Sequence, residues 1–321
     1  MTDYTAEIRT YATSANLGPL FDRAGAKLDG LFMITSGELK NDGGLEIRSE
    51  GRFPVPTDGT NIAHKVAKEI FRDFQINNGL VLTIINNIKP GGLGTSGASA
   101  VAVVELISHL YGLELTTEQK ISYAAFGEPN GHLDNVVPCI VGGIVSSSRV
   151  EGKRLPQYFR YNPPLNLVPA VIIPLDIEKK GGTAKAKEVL GYLTFSNEEL
   201  VYASGLAELM IAGIVGNDFE RMRESISAYS RWQKSATYVR NKEGVYGVDV
   251  PSLNHRLQKL VGDEAILTPS GAGPAMLIFA KDPDTAKKAA SEAVTMYADR
   301  GHTAEGIVTS FNNTESKDNF V

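Results

Sequence analysis

The sequence predicts an α+β protein built as two lobes with a cleft between them. Three observations carry this. The N-terminal half sets extended stretches ahead of its helices, whereas the C-terminal half alternates strands and helices. Each half also holds a glycine-rich turn, Gly91-Gly92-Leu93-Gly94 in the first and Ser270-Gly271-Ala272-Gly273-Pro274 in the second. Between the halves, residues 149–165 are charged, aromatic and proline-bearing, which sets the expected boundary and gives domains 1–160 and 161–321. A chain of 321 residues has room for two modest domains.

Taken in order, residues 5–12 read as a short strand and residues 28–35 as another. The loop between them holds Ser14, Asn16 and Asp22, which could hydrogen-bond a polar ligand; turn chemistry explains the same residue types and is preferred on residue type alone. Residues 36–60 are polar and turn-rich, with Asp42-Gly43-Gly44 as a hairpin signal. Asn61 can cap a helix to about Phe74, because Ile62, Val66, Ile70 and Phe74 step by four. Residues 80–85 are an apolar strand. Thr116 and Gln119 make a capping box before a short helix. Residues 127–138 read as a loop dense in polar groups, with Glu128 a candidate Mg²⁺ ligand and His132, Asp134 and Asn135 candidate substrate contacts; an ordinary solvated loop is the alternative. Residues 140–148 read as a strand.

Beyond the boundary, residues 165–174 form a clear strand. Residues 179–187 carry four lysines, which suit a negatively charged substrate or, more simply, a solvated loop. Ser196 and Glu199 open a helix to about Val215, and Asp218 opens a second to about Tyr229. Residues 231–251, with Arg240 and Lys242, read as irregular. Residues 275–280 form a strand, Asp282 or Asp284 caps a helix that Gly301 ends, residues 306–311 form a last strand, and the polar residues 312–319 read as a frayed tail.

The stretch with most chemistry runs from Asn87 to Gly112. A strand, a glycine loop and a helix N-terminus together make an anion site, because backbone N–H groups and the helix dipole face the loop and glycine admits a phosphate close to the backbone. Ser96 can cap that helix, Gly112 stops it, and the Thr95 and Ser96 hydroxyls suit a phosphate or a Mg²⁺. A buried helix after a tight turn is the bland alternative. The loop is neither a Walker A sequence nor a G-x-G-x-x-G fingerprint.

Composition narrows the classes. Hydrophobic residues at 42% and charged residues at 21% suit a globular protein, and a net charge of −5 argues against nucleic acid as the main partner. A single cysteine, Cys139, leaves no internal disulfide or cysteine metal cluster and fits a reducing cytoplasm. Residues 1–18 lack the apolar core of a secretory signal, and no run is expected to approach the ~20 apolar residues of a membrane span.

Four segments resemble the GHMP small-molecule kinases and, within them, the homoserine kinases. These are Thr13-Ser14-Ala15-Asn16-Leu17-Gly18-Pro19 with Phe21-Asp22, then Gly92-Leu93-Gly94-Thr95-Ser96-Gly97-Ala98-Ser99, then His132-Leu133-Asp134-Asn135-Val136-Val137-Pro138, then Ser270-Gly271-Ala272-Gly273-Pro274. They occur in the family's order across nearly the whole chain. The resemblance implies a two-domain α+β fold with ATP and substrate in the interdomain cleft, and a reaction that phosphorylates the side-chain hydroxyl of L-homoserine. The alternatives are a GHMP-family kinase or ATP-dependent decarboxylase for another small hydroxy acid. By the same resemblance Pro90, Gly91, Gly92, Leu93, Gly94, Thr95, Ser96 and Gly97 would wrap the ATP phosphates, and Asn61 would sit near the adenine. Ser96 and Glu128 would hold Mg²⁺. Asn16, Asp22, His132 and Asn135 would face the amino-acid substrate, with Lys187 and Arg240 at its carboxylate. A homodimer is common in the family. Leu20, Lys187 and a phosphate loop one or two residues short depart from the usual homoserine kinase pattern, and lysine lacks the bidentate carboxylate contact of the usual arginine.

Overall fold

The structure is a computed structural model, and it describes residues 5–128, 132–151, 155–177, 195–232 and 250–321. The chain divides into two compact units. The first takes the described parts of residues 1–13, 22–160 and 312–321; the second takes those of 14–21 and 161–311.

In the first unit, strands β1 (Thr5–Ala15), β2 (Ala24–Lys40), β3 (Leu45–Glu50), β4 (Gly79–Asn86), β5 (Ile144–Ser148) and β6 (Gln157–Tyr161) form one sheet. Its order is β3-β4-β2-β5-β6, with β1 also paired to β2. The expected hairpin at Asp42-Gly43-Gly44 is corrected here: β3 does not fold back onto β2 but runs parallel to β4, which lies between them. What permits this is the start of β4. A Cβ at Gly79 would lie 2.3 Å from the Asp42 carbonyl oxygen, so only glycine lets β4 pass under the turn.

Helices α1 (Ile62–Asp73), α2 (Thr95–Leu110), α3 (Thr117–Gly127) and α4 (Leu133–Val141) cover the sheet. Local caps set their starts: Asn61 Oδ1 accepts from the Ala63 N–H, and Thr116 and Gln119 complete their capping box. The stretch read as loop and then strand is corrected, because residues 133–141 are helical and β5 begins only at Ile144. Pro138 sits inside this helix and has no N–H to give the Asp134 carbonyl. That carbonyl lies against β2 at Gly25, where a Cβ would be 1.8 Å away.

The tail is not frayed. Asn312 N–H donates to the Lys27 carbonyl, Arg9 N–H to the Asn319 carbonyl, and Phe320 bridges to Ile8 on β1. Polarity misled the expectation: Asn312 and Ser316 are buried, and their polar atoms find partners in the first unit.

The second unit carries an antiparallel sheet, β10-β7-β9-β8, from β7 (Val168–Pro174), β8 (Ala265–Pro269), β9 (Met276–Ala280) and β10 (Ala304–Val308). Helices α5 (Asn197–Gly216), α6 (Phe219–Trp232), α7 (Val250–Val261) and α8 (Pro283–Ala298) accompany it. Leu257 of α7 and Ala286, Ala289, Ala293, Met296 and Tyr297 of α8 pack with β7, β8 and β9 in one core. Helix α7 lies just past the stretch read as irregular, most of which, residues 233–249, is outside the described residues. Helix α5 is long and apolar enough to cross a membrane by length and composition, which corrects the expectation that no run approaches that length. It packs on α6, where a Cβ at Gly213 would touch Met222 at 2.6 Å and Ser225 Oγ donates to the Leu206 carbonyl at 2.7 Å.

Candidate active site

The site grows from the β4–α2 connection. Asn86 closes the foot of this loop: its Nδ2 donates to the carbonyls of Phe53 (2.7 Å) and Ile88 (2.9 Å), and its Oδ1 accepts from the Ile88 N–H (2.9 Å). Gly91, Gly92 and Gly94 have φ of 120°, 107° and 65°, which side-chain-bearing residues rarely adopt. Gly94 itself is the N-cap of α2, so Ser96 is not the cap expected from sequence but an exposed residue of the first turn. The Thr95 hydroxyl is buried and donates back to the Ile88 carbonyl at 3.3 Å. Leu93 is buried, and its carbonyl accepts from the Thr13 N–H at 3.2 Å. The helix thus starts with its N–H groups turned toward the glycine loop, an anion-binding arrangement.

Three other side chains meet this first turn. A Cβ at Gly94 would lie 1.9 Å from Thr13 Oγ1 and 2.9 Å from Asn135 Oδ1. A Cβ at Gly97 would lie 3.2 Å from the Asn135 Cβ and 3.6 Å from Glu128 Oε1. Glu128, buried at the C-terminal end of α3, therefore brings its carboxylate beside the turn that carries Ser96. Carboxylate and hydroxyl oxygens are the donors that Mg²⁺ prefers, so this pair fits such an ion.

A second cluster stands at the N-terminus of α4. His132 Nδ1 is 3.6 Å from Asp22 Oδ1 and 3.7 Å from Asp134 Oδ1, and the three donor groups lie within 4.8 Å of one another. Asp22 reaches it from a left-handed backbone position, φ 53°. Asn135 follows Asp134 on the same helix turn, so one short helix start supplies both clusters.

The remaining candidates fall as follows. Asn61 is buried and uses its side chain locally, capping α1 and donating to the Pro56 carbonyl. Asn16 is buried in the second unit with φ 70°, and Leu20 is a core residue there. Pro90 is exposed. Lys187 and Arg240 lie outside the described residues. In the second unit Ser14 and Ser270 hydroxyls are 2.7 Å apart and the Gly271 N–H donates to the Ala15 carbonyl, which joins the first and last of the four segments. Sequence reasoning did not single out Thr13 as a site residue; its only signal was its place in the first segment.

The comparisons with known proteins agree with this geometry. Residues 61–143 match the family model for the GHMP kinases N terminal domain. The chain is 29% identical over 286 residues to homoserine kinase of Methanococcus vannielii, covering 84% of this chain and 85% of that protein. It is 32% identical over 276 residues to homoserine kinase of Listeria innocua, covering 85% and 87%. Its fold matches a crystal structure of homoserine kinase from Cytophaga hutchinsonii with a TM-score of 0.81, at 23% identity over 98% of this chain and 97% of that one. Fold and loop define a GHMP kinase. Within that class the chain belongs to the homoserine kinase family.

Proposed function

We propose that the protein transfers the γ-phosphoryl group of ATP to the side-chain hydroxyl of L-homoserine, giving O-phospho-L-homoserine for threonine biosynthesis. The observation that carries this reading is the convergence of the Gly94 cap, Gly97, Asn135 and Glu128 on the first turn of α2, beside the His132–Asp22–Asp134 cluster. The loop from Pro90 to Gly97 binds the phosphates through backbone N–H groups, and Asn61 lies at the adenine. Ser96 and Glu128 hold Mg²⁺, which supplies charge neutralisation on the phosphates when bound. Asn135 holds the acceptor oxygen. Asp22 and His132 take the substrate ammonium end with Asn16, and Lys187 and Arg240 take the carboxylate. Phosphoryl transfer rests mainly on positioning and charge stabilisation, so this set needs no dedicated base. The nucleotide loop belongs to a domain ending near residue 160, and the enzyme works in the cytoplasm as a homodimer.

An ADP-release assay with Mg-ATP against homoserine, threonine, pantoate and mevalonate tests it. Turnover should depend on homoserine, with phosphate found on its side-chain oxygen by ³¹P NMR. Turnover only with pantoate or mevalonate, or release of CO₂, would move the assignment to the kinase or decarboxylase alternative.

A further inference from the structure

We infer that Thr13 is a positioning residue for this transfer, and that it acts through Asn135. The inference rests on the kinase reading above. Thr13 Oγ1 donates to Asn135 Oδ1 at 2.8 Å, across 122 residues of sequence. An amide oxygen only accepts, so the proton in this bond is the hydroxyl's. Asn135 presses on the first turn of α2, and its Nδ2 makes no hydrogen bond among the described residues.

An anion at a helix N-terminus calls for N–H donors, and a carbonyl oxygen turned toward it would repel it. By holding Oδ1, Thr13 keeps the amide turned so that its N–H pair is available to the acceptor oxygen and to the phosphoryl group it meets. Thr13 is 1% exposed, and its own backbone N–H holds the Leu93 carbonyl. One residue thus ties the glycine loop to the start of α4. Valine would fill the same space on β1 but leave the Asn135 amide free to rotate.

The test is a double-mutant cycle on the intact enzyme. Thr13→Val should lower kcat about 10- to 30-fold, the scale of one lost positioning hydrogen bond, and leave KM for ATP within about twofold. Thr13→Ser keeps the hydroxyl and should restore most of kcat. In an Asn135→Ala background, Thr13→Val should lower kcat no further. Melting temperatures of all variants separate this from a loss of fold, and Thr13→Ala replaces the valine variant if that one does not fold. Wild-type kcat in Thr13→Val, an equal loss in the Asn135→Ala background, or a rise in KM for ATP alone would each overturn the inference. If the wild-type enzyme uses an acceptor other than homoserine, the substrate assignment fails, and the same cycle run with that acceptor still decides the role of Thr13.

Discussion

Gly94→Ala tests whether the loop cradles phosphate. The added methyl would lie 1.9 Å from Thr13 Oγ1 and 2.9 Å from Asn135 Oδ1. Ordinary contact needs about 3.5 Å, so the loop or its neighbours must move by about 1.5 Å. Alanine at a φ of 65° adds about 1–2 kcal/mol of backbone cost. Without nucleotide, the loop can relieve both by lifting away, losing the Thr13–Leu93 backbone hydrogen bond at about 1 kcal/mol. Binding phosphate forces the loop back, so the cost appears in affinity: about 1–3 kcal/mol, or about 5- to 150-fold in Kd for ATP. Titration calorimetry with ATP, alongside a melting curve, measures it. Adding Thr13→Ala removes the 1.9 Å clash and should recover part of the affinity, leaving the φ cost. A Kd within twofold of wild type in a folded Gly94→Ala protein would refute the reasoning, because phosphate would then not need this backbone.

Glu128→Gln keeps shape and removes charge; we expect kcat to fall at least about 100-fold, and calorimetry to show ATP affinity that no longer responds to Mg²⁺. Near-normal turnover at saturating Mg-ATP would remove Glu128 from the metal site. Deleting residues 312–321 takes away the Thr314 carbonyl that Lys27 Nζ bonds at 2.9 Å and the Ser316 hydroxyl on Glu105. Urea unfolding should show a loss of at least about 3 kcal/mol, partly recovered by Lys27→Met, since burial already holds the Lys27 ammonium below its ordinary pKa; an unchanged midpoint would mean that the tail is not a fixed part of the unit. Burial pushes the Cys139 thiol up to about 11 from 9.0, so the folded state keeps a proton that the unfolded chain loses. Its stabilisation is complete below pH 9.0 and fades toward about pH 11, by about 2–3 kcal/mol; Cys139→Ala should flatten the stability decline in that window, and an identical slope would contradict the burial.

What was legible in the sequence was local. Asn61, Thr116 with Gln119, Ser196 with Glu199, and Asp282 all cap helices as read, because a cap needs only residues two or three positions away. Strand β4 and the glycine loop after it were equally plain. The Gly94 cap was missed by two positions, because serine is the commoner cap and nothing local reveals a left-handed glycine. Pairing of β3 with β4 rather than β2 depends on Gly79 passing Asp42, a contact no turn signal encodes. Helix α4 was hidden by Pro138 and the following glycine pair, which usually break helices; here Gly25 leaves room for the Asp134 carbonyl beside β2. The site residues were found by resemblance, not by spacing. Asp22 and His132 are 3.6 Å apart in space but far apart in the chain, and no periodicity connects them.

The position of the anion site depends on how α2 is held. Every residue of α2 except Ser96 and His109 is buried, and its surface is almost wholly small or aliphatic. The rotation of such a helix is fixed by the shape of its packing and by its few polar contacts. A slip of one residue would rotate Ser96 and Gly97 by about 100° away from Glu128 and Asn135. Glu105, 2% exposed on the same helix, opposes that slip. Its carboxylate takes Lys120 Nζ of α3 at 2.7 Å on one oxygen and the Ser316 hydroxyl of the tail on the other. Moving it would leave a buried charge without partners, which costs about 3–5 kcal/mol. The polar tail that the sequence marked as loose therefore helps fix the rotation of the helix whose first turn follows the glycine loop.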